Sequence, residues 1–162
     1  MKIIKNILFI FMILTYFYAI YNVCFYYQEN DKSISSIIKD EDCNQWVFIS
    51  MIIMGIFTLI YELTRHDAFS FFCIIFLLIG IYGVLLYDHY NQLHFVFCFI
   101  VFISILLFMY NHCVKKEFIL LFALLYIQEI LSAIIFLQSE IMNCEIYLLI
   151  NFAIFYIILH FY

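Results

Sequence analysis

The polar segment Tyr-Asp-His-Tyr-Asn-Gln-Leu-His, residues 87–94, separates two long apolar runs at residues 68–86 and 95–110. A break this short is a turn and cannot form a domain of its own. Each flanking run approaches the length that a helix needs to cross the hydrocarbon core of a bilayer. The pattern therefore predicts two transmembrane helices that are joined at a membrane surface.

The same alternation of apolar runs and polar breaks extends over the whole chain. Of its 162 residues, 69% are hydrophobic and 12% are charged, and a soluble domain of this size has too little interior to bury so much apolar surface. We expect an all-α fold, a polytopic membrane helix bundle formed by one domain, residues 1–162. Its six predicted transmembrane helices cover residues 3–27, 46–63, 68–86, 95–110, 118–138 and 146–162.

Lys and Arg residues near the helix ends predict the orientation of the bundle. With a cytosolic N-terminus, five of them lie on the cytosolic side and two on the other side, which is the asymmetry that the positive-inside rule favours. Both termini are therefore predicted to be cytosolic, and residues 87–94 to face a lumen or the exterior. The five residues are Lys2, Lys5, Arg65, Lys115 and Lys116, and the other two are Lys32 and Lys39.

Residues 87–94 contain the first group of candidate site residues. Asp88, His89 and His94 could bind a metal ion or share a proton, since a carboxylate beside an imidazole shifts its pKa. Their spacing matches no known metal motif, so no metal and no cofactor are predicted. The alternative is a solvated turn in which His94 forms a hydrogen bond at the start of the fourth helix.

Glu129 lies near the middle of the fifth apolar run, beside Gln128. An ionisable side chain at that depth is costly in lipid, so we expect it to face the interior of the bundle, either protonated or with a partner. Two interpretations remain open. Glu129 is either a proton or headgroup site, or it forms an interhelical hydrogen bond, for which Asn151 is a candidate partner.

Three smaller features complete the candidates. The charged residues between positions 62 and 67 are expected to form a solvated ion-pair cluster at a helix junction. Gly80 and Gly83 on the third helix permit close approach of a neighbouring backbone. Cys43 and Cys144 are predicted in outward-facing loops, where a disulfide could form in an oxidising compartment.

Four short motifs carry a resemblance to a known family. They are Ser33-Ile34-Ser35-Ser36 in the first long loop, Trp46-Val47-Phe48 at the start of the second helix, His94 at the start of the fourth helix and Glu129 within the fifth. In these motifs the chain resembles the superfamily of the DRAM autophagy modulators and of the Golgi factor that remodels the lipid of GPI anchors. The Gly and Pro that usually follow the Ile-Ser motif are absent here.

The resemblance implies a function at the lumenal face. The chain would act on or bind a lipid headgroup, with Asp88 and His94 positioning or protonating it and Glu129 as a buried catalytic partner. The alternatives are a non-enzymatic membrane organiser and a small proton channel built as a homo-oligomer around Glu129. Membrane lipid is the expected partner, in the endomembrane system (Golgi, ER or lysosome) or the plasma membrane. Nucleic acid is not expected, because the net charge is −5.

Overall fold

The computed structural model describes residues 2–28, 33–39, 44–87, 91–137 and 141–162. All regular structure in these segments is helical, which confirms the predicted all-α membrane bundle. The helices are α1 (Lys2–Tyr26), α2 (Ile34–Lys39), α3 (Asn44–Leu63), α4 (Ala68–Leu86), α5 (Gln92–Lys116), α6 (Ile119–Phe136) and α7 (Ile141–Phe161).

Five helices, α1, α3, α4, α5 and α7, are long and apolar enough to cross a membrane, and α6 is a shorter apolar helix. The 18 residues of α6 span about 27 Å, close to the thickness of a bilayer core. Phe118 stacks on Tyr162 at 4.1 Å where α6 begins. At the other end of the bundle, Glu145 near the start of α7 bonds to Ile34. Helix α6 therefore runs between the same two ends of the bundle as the five longer helices, where the sequence predicted a sixth transmembrane helix.

The first turns of α1 and the last turns of α7 lie together at one end of the bundle. Phe9 of α1 stacks on His160 of α7 with ring centroids 3.8 Å apart. Lys5 lies close enough to Arg65 and Lys116 for their charges to interact, and Lys115 pairs with Asp67 nearby. We call this the basic end, and the opposite end, where α4 ends and α5 and α7 begin, the distal end.

Aromatic side chains fill the half of the bundle next to the basic end. Tyr156 of α7 is fully buried at their centre. Its ring centroid lies 5.1 Å from that of Phe108 on α5, 6.1 Å from that of Tyr61 on α3 and 6.4 Å from that of Tyr16 on α1. These contacts hold four helices together, since each large ring buries much apolar area.

Helices α4 and α5 form the hairpin that the sequence predicts, and two glycines bring them close. A Cβ atom on Gly80 would lie 3.0 Å from the backbone nitrogen of Val101 and 3.2 Å from the carbonyl oxygen of Phe97. The same atom on Gly83 would overlap the ring of Phe97. The expected role of the two glycines in close packing is therefore confirmed.

The Gly80→Ala variant should destabilise the protein by about 1–3 kcal/mol, because backbone atoms of α5 cannot move aside as a side chain can. Thermal unfolding in detergent measures the effect as a lower Tm. Gly55→Ala is the matched control, since the added methyl there meets only the flexible side chain of Leu78. Equal melting temperatures for the two variants would contradict this account of the hairpin.

Candidate functional site

A cavity of about 140 Å³ lies in the distal half of the bundle, between α1, α3, α4, α5 and α7 and beneath α2. Its walls are mostly aliphatic, and its acidic residue is Glu145. From Glu145 to Phe152, both on its lining, the cavity follows two turns of α7, or about 10 Å.

The cavity exists because the side chains of α5 become smaller toward the distal end. Near the basic end, Phe108 fills the space between α5 and α7, and its ring lies 5.6 Å from that of Phe152. On the same face of α5, the residues one, two and three turns closer to the distal end are Ile105, Val101 and Cys98, and all three line the cavity. All three are smaller than Phe108, and Phe102 lines the cavity beside them.

Glu145 points into the bundle from the second turn of α7. Its Oε2 atom accepts a hydrogen bond of 2.6 Å from the backbone N–H of Ile34, the first residue of α2. This is the one hydrogen bond that Glu145 receives from the described residues, so its second oxygen is available to the cavity. The sequence analysis placed Glu145 in a loop before a helix starting at Ile146. That was wrong, because α7 begins at Ile141 and the polar residues there are already helical.

Ser35 is the second polar group of the cavity and lies on α2, a helix that the sequence analysis treated as loop. Ser33 and Ser36 fix the start of α2 by reciprocal bonds. The backbone N–H of Ser36 donates to Ser33 Oγ at 3.2 Å, and that of Ser33 donates to Ser36 Oγ at 3.1 Å. This is the geometry of a capping box. It holds Ser35 against the cavity, where only 6% of the residue is exposed.

His94 has the structural role that the sequence offered as an alternative to a metal site. It is 7% exposed, and its Nδ1 atom donates a 3.0 Å hydrogen bond to the carbonyl oxygen of Tyr87. Asn91 caps the same helix by accepting from the backbone N–H of Leu93 at 3.0 Å. His94 therefore ties the end of α4 to the start of α5. Asp88 lies outside the described residues, together with His89.

Glu129 does not face the interior of the bundle, so that expectation was wrong. Its side chain is exposed on α6, and Gln128 occupies the buried position. Asn151 Nδ2 donates to Gln128 Oε1 at 2.6 Å and to the carbonyl oxygen of Leu124 at 2.9 Å. Consecutive residues on a helix point about 100° apart, so the residue that meets Asn151 excludes its neighbour from the same face.

His94 and Glu129 therefore do not form one site. They lie at different levels of α5 and α6, separated by roughly 18 Å along the helix axes. Ser35 and Glu145 are brought together around the cavity, and His94 is not part of its lining. The catalytic role of Asp88 stays a prediction.

The charged junction between α3 and α4 contains the expected ion pairs. Arg65 Nε lies 3.7 Å from Glu62 Oε1, and Lys115 Nζ lies 2.7 Å from Asp67 Oδ2. Glu62 is only 1% exposed. This part of the cluster is therefore buried and not solvated as expected. Asp67 also accepts from the backbone N–H of Ser70 and caps α4. Partial burial alone would raise the pKa of Asp67, but the hydrogen bonds from Lys115 and Ser70 lower it to about 2.

Ser70 and His112 form a buried polar pair that the sequence analysis missed. The Ser70 hydroxyl lies 2.9 Å from His112 Nε2, and Asn111 donates to the same hydroxyl at 3.1 Å. A serine beside a histidine can be a nucleophile and its base. Here both residues are buried and neither lines the cavity, so the pair joins α4 to α5.

Within the described segments, no group of three His, Cys, Asp or Glu side chains could hold a metal ion. Cys43 lies outside those segments, while Cys144 is buried on α7. The disulfide therefore stays a prediction. Comparisons with protein-family profiles, with curated proteins and with solved structures find no match.

Asp67→Asn should lower stability by about 1 kcal/mol at pH 7, because it removes the charge that Lys115 and the α4 cap bind. The folded pKa of about 2 lies below the ordinary value. The advantage of the wild type should therefore be full above pH 4 and disappear as the pH falls toward 2. Melting temperatures of both proteins between pH 7 and pH 2 measure it.

Glu117→Gln is the control, since Glu117 follows α5 at the same end without a side-chain hydrogen bond or ion pair to any described residue. If the difference in Tm between the wild type and Asp67→Asn persisted unchanged at pH 2, it would contradict the stabilising role of the Asp67 charge.

Proposed function

We propose that this membrane protein binds a lipid, with part of an acyl chain in the cavity and the polar head at Glu145 and Ser35. The observation that carries the proposal is the Glu145 carboxylate, which lines a mostly aliphatic cavity in a bundle of helices long enough to cross a membrane. An amphiphile is the class of molecule that has both parts.

The walls of the cavity favour a hydrocarbon chain over water. Water in a cavity needs two to four polar partners, and the deeper wall, from Met54 to Leu77 and Ile105, offers none from its side chains. A methylene chain has no hydrogen bonds to lose there and makes close contacts with the wall. The surrounding bilayer supplies such chains at high local concentration.

The polar groups favour a headgroup that donates hydrogen bonds. The second oxygen of Glu145 accepts from an ammonium or a hydroxyl and repels a phosphate. The Ser35 hydroxyl can donate or accept. Glu145 is the fifth residue of α7, about 6 Å from the helix start, which is within the depth that a headgroup and its linkage occupy. We therefore propose an amine- or hydroxyl-bearing lipid.

The resemblance to GPI-lipid remodelling proteins implies a headgroup site at the lumenal face of the membrane. The polar groups of the cavity lie toward the end that is predicted to be lumenal. The distal end is the side that the Lys and Arg distribution predicts to be lumenal, and Ser35 belongs to the Ile-Ser motif. We propose the lipid part of a GPI anchor as the substrate class. In that case Glu145 and Ser35 would contact the reacting part of the lipid, with Asp88 as a further candidate.

Filling the cavity should block binding. Leu149→Trp places a bulky ring into the lining, so labelling by a photoactivatable phosphatidylethanolamine in nanodiscs should fall at least five-fold. Tyr147→Trp, on the exposed face of the same helix, should label like the wild type. Cross-linked peptides identified by mass spectrometry should include Met51 and Met54. Unchanged labelling of a folded Leu149→Trp protein would refute the proposal.

The charge of Glu145 can be tested separately from its bond to α2. Glu145→Gln keeps a side-chain oxygen that can accept from Ile34 but removes the negative charge. It should reduce retention of phosphatidylethanolamine relative to phosphatidylcholine during purification, as measured by lipid mass spectrometry. Glu129→Gln is the matched control on the outer surface. An identical lipid profile for Glu145→Gln and the wild type would show that Glu145 only anchors α2.

A further inference from the structure

The outer surface of α6 carries an acidic side chain at mid-membrane depth. Glu129 is exposed and lies 10 residues after Ile119, about 15 Å along a helix of about 27 Å. Among the described residues, no other acidic or basic side chain is exposed in the middle third of a membrane-spanning helix. Such a group costs several kcal/mol in contact with lipid tails and nearly always has a partner in the bilayer.

Glu129 belongs to a stripe along α6 whose members are spaced alternately by three and four residues. This spacing is that of the contact seam in a left-handed helix pair. Two of its members are highly exposed, Ile119 by 82% and Tyr126 by 64%. The small side chain of Ala133 allows close approach of a second helix. We define the α6 seam as Ile119, Phe122, Tyr126, Glu129 and Ala133.

The opposite face of α6 is already occupied. Leu121, Gln128 and Ser132 are buried, and Gln128 bonds to Asn151 of α7. A partner for Glu129 must therefore come from outside this bundle. A lipid headgroup cannot supply it, because headgroups lie at the membrane surface and Glu129 lies near the middle of the hydrocarbon core.

We propose that a second copy of this chain packs against the α6 seam, so that Glu129 meets its own counterpart. A two-fold axis along the membrane normal makes the two α6 helices parallel and places both carboxyl groups at the same depth. The pair then shares a proton, since the hydroxyl of a protonated carboxyl donates to the other carboxylate and two adjacent negative charges are avoided. A single polar position within an apolar seam also fixes the register of the helices.

Two cysteine variants test the geometry in native membranes. Ala133→Cys lies on the seam, and oxidation or a short bis-maleimide should convert at least half of the protein to a covalent dimer. Ile127→Cys lies on α6 and is also exposed, but it points about 120° away from the seam. It should behave like the wild type, whose native cysteines provide the background. Equal cross-linking of the two variants, or a product that contains a different protein, would overturn the proposal.

The role of Glu129 is tested by the monomer–dimer equilibrium in liposomes, measured by energy transfer between labelled copies. Glu129→Leu should raise the dissociation constant about three- to ten-fold, the range of one interhelical hydrogen bond in a membrane. Glu129→Gln should dimerise like the wild type, because two amides can still bond to each other. Elution as a single detergent-solubilised peak confirms that each variant is folded. If folded Glu129→Leu dimerises as tightly as the wild type, the proposed pairing of the two Glu129 side chains is overturned. If the wild type stays monomeric at all protein densities in the liposome, the α6 interface itself is overturned.

Discussion

Phe108 determines how the two halves of the bundle differ. Its ring fills the space between α5 and α7 and contacts Phe152 and Tyr156, so the half near the basic end is solid. Toward the distal end α5 lines the cavity with the smaller side chains of Ile105, Val101 and Cys98, beside Phe102, and the space between the helices remains open. Without the aromatic packing below, the helices could close on each other and remove the cavity. The cavity is thus a result of side-chain size along one face of α5.

Three carboxyl groups in the apolar helices are accommodated in three ways. Glu62 is buried beside Arg65 at the basic end. Glu145 is held by a backbone N–H and keeps one oxygen for the cavity. Glu129 is exposed on the outer surface of α6 and has no hydrogen-bond or ion-pair partner among the described residues. A bilayer core provides no water to solvate such groups, so each of them needs a different partner, and for Glu129 we propose another copy of the chain.

Much of the fold could be predicted from the sequence because lipid imposes simple rules. Runs such as residues 68–86 must be helical, and a polar break between two such runs must separate two helices. The glycine packing and the helix-start bond of His94 also follow from local chemistry. The direction in which Glu129 points does not. Gln128 beside it is also polar, and the other residues around the pair are mostly apolar, so the pattern does not show which of the two side chains faces the interior.

The cavity was missed for two local reasons. Polar residues before Ile146 conceal the first turns of α7, so Glu145 looks like part of a loop. The segment Ser33-Ile34-Ser35-Ser36 was read as a motif, although a serine three residues after another also indicates a helix cap. Recognising that cap would have predicted α2, but not its position over the cavity, because the contact between Ile34 and Glu145 joins residues that are 111 positions apart.

The short helix α2 covers the cavity and is bonded to its acidic residue, Glu145. Helices α4 and α5 are in backbone contact at Gly80, and α1, α3 and α7 are joined by aromatic rings, so neither wall separates easily. Helix α2 has six residues. The buried side chain of Ile37 and one hydrogen bond to Glu145 anchor it. Glu145 holds the first residue of α2 and is also the proposed partner of the headgroup. A headgroup bound there would compete with the backbone N–H of Ile34 for the same carboxyl group, so its binding and the attachment of α2 would be coupled.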